Sequence, residues 1–161
     1  MKNAFWLILL AMFSMSGCSH TARLYPVQGP LSAQTPPPVL LGKITGAFNS
    51  GDLSVKLSDG EICKGRWSVV HPPQLAKGEN SAVAQTATGM QAAWDAVYGQ
   101  GFYVSQVLGT RLHAQAELAG DRGTVMNVEM YRSLEEHAEA LPASIRGVAK
   151  DNKDNIYKVA F

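Results

Sequence analysis

The 161-residue chain is poor in charge, nearly free of cysteine and without any catalytic signature, and each shortage narrows its range of functions. Charged residues make up 17% of it, with 14 basic side chains against 13 acidic ones. That balance provides no net field to steer a polyanion, so the composition argues against a nucleic-acid binder. The nearest basic cluster, Lys64 with Arg66, reads as two solvated charges on one strand. No apolar run reaches the roughly 20 residues needed to cross a bilayer as a helix. No Gly-x-Ser-x-Gly elbow and no Gly-Lys-Ser or Gly-Lys-Thr phosphate loop occurs. Gly99-Gln100-Gly101 lacks the third glycine of a dinucleotide loop and precedes a strand-like run, so no nucleotide cofactor is expected.

The histidines, His20, His71, His113 and His137, show no metal-ligand spacing. His137 stands beside Glu135, Glu136 and Glu139, a pattern that reads as a solvated acidic face rather than a cation site. Asp95 with Glu117 or Glu129 stays open as a carboxylate pair, but nothing in the spacing assigns it acid–base work. The sequence therefore designates no catalytic, cofactor-binding or metal-binding residue.

What is present begins at the N-terminus. Lys2 precedes an apolar run from Ala4 to Met15, then Ser16 and Gly17, the order of a cleavable secretory leader. Met15-Ser16-Gly17-Cys18 is similar to the lipobox of bacterial lipoproteins. The resemblance implies cleavage between Gly17 and Cys18 and acylation of Cys18 by chains such as palmitate. Several chains, at about 0.8 kcal/mol per buried methylene, would anchor it firmly. Ser19, where Asp would imply inner-membrane retention, implies the outer membrane, facing the periplasm. Loss of residues 1–17 removes Lys2 and no acid, leaving 13 basic against 13 acidic residues. With Cys18 acylated, Cys63 has no disulfide partner, and in an oxidising compartment it is expected to be buried.

Residues 18–38 hold five of the eight prolines and read as a lipidated cysteine followed by a stiff tether, with a β-rich domain over 39–161. Within that domain, Leu53, Val55 and Leu57 alternate with polar residues, as do Cys63, Trp67 and Val69 after the Ser58-Asp59-Gly60 turn. A two-residue turn would put these rows on opposite faces, whereas a three-residue loop with Gly60 left-handed aligns Val55 with Cys63. Val83, Ala87, Met90, Trp94 and Val97 recur at helical spacing, which predicts a helix over about 82–98, ended by Gly99 and Gly101. Strands are predicted at 102–108, 111–119, 124–131, 145–150 and 156–161. The expected fold is mainly β: an antiparallel sheet, partly closed barrel or sandwich of about seven or eight strands with one packed helix.

The C-terminal run Gly147 to Phe161, and the centre from Gly42-Lys43-Ile44-Thr45-Gly46 through Asp59-Gly60-Glu61, resemble a group of small, largely uncharacterised bacterial membrane lipoproteins. In that group a lipobox and a proline-rich tether precede a compact β domain. Several of its members carry a disulfide cysteine where this chain has Ala149, so that staple is missing here. The expectation is a membrane-anchored, non-enzymatic envelope binding or accessory protein, with an envelope protein or glycan as partner. The alternatives are an enzyme acting on envelope material and a binder of a small apolar or lipid ligand.

Overall fold

The Ser58-Asp59-Gly60 turn sets the first register. In the computed structural model, which describes residues 19–47, 49–70, 89–107, 113–132 and 145–161, it joins β3 (Ser50–Lys56) to β4 (Ile62–Val70). The Leu57 N–H donates to the Glu61 carbonyl at 2.8 Å and the Gly60 N–H to the Leu57 carbonyl at 3.0 Å. Gly60 has φ +86°, a conformation that costs a residue without Cβ little. Val55 therefore lies opposite Cys63 and Leu53 opposite Gly65, the alignment required to keep both apolar rows on one face.

The same alternation builds β1 (Ser19–Gln28), β2 (Leu40–Ala47), β5 (His113–Gly120), β6 (Val125–Arg132), β7 (Ile145–Asp151) and β8 (Ile156–Ala160). Each strand pairs antiparallel with its chain neighbour, and β8 returns to β1, closing an eight-stranded barrel. Eight strands enclose a space that side chains fill. Here Leu24, Leu40, Val55, Leu118, Met126, Val128 and Tyr157 do so, each at most 2% exposed. Closure leaves no unpaired sheet edge among the described residues.

The tether reading of residues 18–38 is corrected. Ser19–Gln28 is a barrel strand, pairing Leu24 with Leu40 on one side and with Val159 on the other. Ala22 and Leu24 alternate inward with Thr21, Arg23 and Tyr25 outward, so their burial outweighs the extended-linker preference of the prolines. Pro26 sits where the β1–β8 register shifts, a position that tolerates a missing N–H. Pro30 lies within a turn in which the Ser32 N–H donates to the Gly29 carbonyl at 3.1 Å, and Pro36, Pro37 and Pro38 follow it. Leu31 N–H is held by the Asn155 side-chain carbonyl at 2.9 Å, so this stretch folds over one end of the barrel.

Helix α1 spans Met90–Tyr98, with left-handed Gly89 at its start and Gly99 at its end. It packs outside the barrel on β7 and β8, burying Met90, Ala93 and Trp94 against Tyr131, Val148 and Ile156. Residues 82–88 of the predicted helix lie outside the described residues. The strand expected over 102–108 is also corrected: Tyr103–Val107 forms one π-helical turn. Phe102 stacks on Tyr98 and Trp94, at 4.8 and 5.8 Å between ring centroids. Aromatic packing on the helix thus overrides the strand preference of Phe, Tyr and Val.

Leu24→Ala should destabilise the protein by about 2–5 kcal/mol in urea unfolding, the usual cost of emptying a core leucine site. A change below about 0.5 kcal/mol would return β1 to the status of a tether.

Candidate functional site

Three groups of polar side chains stand out once the barrel is built. The first plugs the end that carries the β3–β4, β5–β6 and β7–β8 turns. Glu61 follows the parity of Cys63 and so points inward, 1% exposed. One of its oxygens accepts the Arg122 and Thr124 N–H groups at 2.9 and 3.0 Å; the other accepts the Thr124 hydroxyl at 2.6 Å. Lys153 Nζ lies 3.5 Å from it. The Thr124 hydroxyl bond leads, the backbone donors add to it, and together they outweigh burial to hold the Glu61 carboxyl at about 2 instead of 4.5. A Cβ at Gly120 would overlap this carboxylate, so the β5–β6 turn can approach only as glycine.

Asp151 continues the plug. It accepts the Lys153 and Asn155 N–H groups, each at 2.9 Å, and the Tyr157 hydroxyl at 2.7 Å. Burial, reinforced by this bond to Asp151, raises the Tyr157 phenol above its ordinary value. Cys63 adjoins this network inside the barrel, fully buried. Burial first, then the Glu61 charge, pushes its thiol up to about 11, which removes it as a nucleophile near neutrality.

The second group lies outside the barrel, beside α1. Glu129 on β6 is 3% exposed, and its two oxygens accept Trp94 Nε1 at 2.7 Å and Gln115 Nε2 at 2.9 Å. These bonds compensate the burial of the carboxylate and fasten the helix to the sheet. An open depression of about 290 Å³ beside it is lined by Arg66, Ser68, Gln115, Glu117 and Asn127. Of the carboxylates considered from sequence, Glu117 and Glu129 share this depression. Asp95 does not line it and instead accepts the Tyr103 N–H at 3.2 Å.

The third group is the outer surface of β1–β4. Lys64 and Arg66 are not an isolated pair there: register brings Arg23, Lys43 and Lys56 to the same face, all exposed. The sequence hid this because the five cations are spread over four strands. Charged exterior and apolar interior together make the reverse of a membrane-spanning barrel, which turns its apolar side to lipid. Among the described residues no helix is long and apolar enough to cross a membrane.

Gly17, Cys18, His71 and the His137 cluster with Glu135, Glu136 and Glu139 lie outside the described residues. His20 is on β1 opposite Ile44, and His113 is on β5 opposite Tyr131, so the barrel holds them on separate strands. Among the described residues no group of three or more His, Cys, Asp or Glu side chains is arranged to hold a metal ion. Glu61 escaped sequence reasoning although its signal was present, because a carboxylate at interior parity in a fixed hairpin register must be buried.

Fold and side chains define a class: a small up-and-down antiparallel barrel with a filled apolar interior, a buried polar plug at one end and a helix fastened to its wall. Comparison of the chain with family models, with curated proteins and with solved structures finds no match.

Because the Glu61 pKa is depressed in the fold, its stabilisation is fully present above about 4.5 and is lost as pH falls toward about 2. The melting temperature should drop through that window, and Glu61→Gln should lower it at pH 7 while flattening the acid slope. An unchanged slope would remove Glu61 from the plug. Native Cys63 should resist iodoacetamide at pH 8 and react once guanidinium unfolds the barrel; rapid alkylation of the folded protein would contradict its burial.

Proposed function

We propose that this protein is a bacterial envelope lipoprotein: exported by its leader, cleaved between Gly17 and Cys18, acylated on Cys18 and held at the outer membrane facing the periplasm. There the barrel serves as a non-enzymatic binding or accessory module for an envelope protein or glycan. The observation that carries this reading is Met15-Ser16-Gly17-Cys18 closing an apolar leader immediately before Ser19, the first residue of β1. Cleavage there removes no residue of the barrel ladder. The domain division of the reading changes accordingly: leader 1–17, anchor residue 18, and a barrel that starts at 19 with no leash between.

The side-chain chemistry supports a binding rather than a catalytic role. Glu61, Asp151 and Glu129 are buried carboxylates whose oxygens are occupied by hydrogen bonds that hold turns or the helix. An enzyme acting on envelope material would need such groups directed at a substrate. A ligand inside the barrel would have to displace Leu24, Leu118, Met126 and Tyr157, all at most 1% exposed.

Intact-mass measurement of protein purified from its native membranes tests the anchor. The expected species begins at Cys18 and carries fatty acyl mass, and Cys18→Ser should abolish both cleavage and acylation. A wild-type chain with residues 1–17 still attached, or an N-terminus without fatty acids, overturns the reading.

A further inference from the structure

We infer that the outer face of β1–β4 is a docking surface for an anionic phospholipid headgroup layer, so that the barrel lies on the membrane by that side. This rests on the proposed anchoring at Cys18. Register makes the face a lattice. Across one row Arg23 stands beside Leu41, Lys56 and Ile62; across the next Thr21 stands beside Lys43, Ser54 and Lys64; the third holds Thr45, Asp52 and Arg66. Five cations thus share a face with one acid, Asp52, in a chain whose formal net charge is only +1. Asp59, in the turn beyond, is engaged instead by Arg122 and Lys153. None of the five cations makes an ion pair of 4 Å or shorter among the described residues.

No two of the five cations stand directly opposite each other, and only Arg66 faces an acid across the β3–β4 ladder, so cross-strand charge pairing does not account for the cluster. Two shallow depressions, of about 460 and 390 Å³, share Lys43 and Ser54 and so form one trough across the face. Leu41 and Ile62, 57% and 40% exposed, stand at its margin among the lysines. Cations at phosphate height with aliphatic side chains between them suit the boundary between headgroups and acyl chains.

The position of the trough selects the occupant. Ser19 lines it and is the residue after Cys18. One peptide unit spans about 3.8 Å, so an acylated Cys18 leaves this side of the barrel beside the bilayer. The nearest anionic surface is then the membrane itself.

The test places the acylated protein in vesicles of phosphatidylcholine, alone or with phosphatidylglycerol, with a spin label on a cysteine introduced at Ser54 or Asp121. The Ser54 label should be shielded from a water-soluble relaxation agent about fivefold more in the anionic vesicles, and the Asp121 label equally exposed in both. Lys43→Glu with Lys64→Glu should abolish the difference. Equal exposure of Ser54 in both vesicles, or shielding that survives the double reversal, overturns the proposal. Shielding that needs an added anionic glycan polymer in place of phosphatidylglycerol also overturns it. Sedimentation of chains beginning at Ser19, which lack both the apolar leader and the acylated cysteine but keep every strand of the barrel, with the same vesicles separates failure of the anchor from failure of the face. There the parent chain should bind anionic vesicles more strongly than its double-reversal variant, by about fivefold or more for each cation reversed.

Discussion

The pairing of β1 with β8 is the constraint on which the rest of the barrel depends. Short turns fix the β2–β3, β3–β4, β5–β6 and β7–β8 contacts locally, but Leu24 opposite Val159 joins the two ends of the described chain. Without that ladder, β2 and β8 become open edges and Ala22 and Leu24 leave the interior. With it, all eight strands turn one side inward, and the interior is a single cluster of apolar side chains that runs from Ala22 to Met126 and Tyr157 in size. Closure is also the costliest contact entropically, since the longest loop must be closed before it contributes anything.

A closed barrel has two ends, and at one of them three turns bring backbone N–H groups close to apolar filling. The plug solves that problem with carboxylates. Glu61 from β4 accepts N–H donors of the β5–β6 turn, and Asp151 accepts those of the turn that follows it. Tyr157 brings β8 into the same network. Each buried charge is met by donors with fixed positions, which makes the network intolerant of slippage. A one-residue shift of β4 would turn Glu61 to solvent and Ile62 inward. The polar plug therefore enforces the register that the apolar alternation only favours. Glu129 performs the corresponding task on the outer wall, where its bonds to Trp94 and Gln115 orient α1 over β7 and β8.

What was legible in the sequence was whatever local chemistry decides. The Gly60 turn, the Val55–Cys63 register, the burial of Cys63, the helix around Trp94 and the strands from His113 onward follow from alternation, helical spacing and turn residues. What misled was composition read without partners. Five prolines made residues 18–38 look like a tether, although Ala22 and Leu24 already alternate as a strand does. The alternation became decisive only when β8 was available to pair with it. Phe102 to Val107 carries strand-forming residues, yet the aromatic ring of Trp94 captures Phe102 and winds the segment into a turn. The basic face was invisible for a different reason. Its members lie on four strands, and charge counted along the chain cannot register a concentration that exists only across a sheet.

With the proposed anchor at Cys18, a barrel strand that starts at Ser19 leaves no leash between them, and this changes the physics of any contact the barrel makes. Twenty residues of polyproline geometry would span about 60 Å and let the domain sample every orientation above a membrane. Under the proposed anchoring at Cys18, a barrel strand that begins at Ser19 would sample few, and a surface beside that anchor would meet the bilayer at an effective concentration far above that of free protein. Under such tethering a face does not have to bind tightly to be occupied; it has only to be preferred over the others. In the proposed orientation, five cations against one acid on β1–β4 would provide that preference, while the near balance of the whole chain would keep the remaining surface from competing for the same lipid. An evenly mixed exterior with the same net charge would leave the orientation undecided.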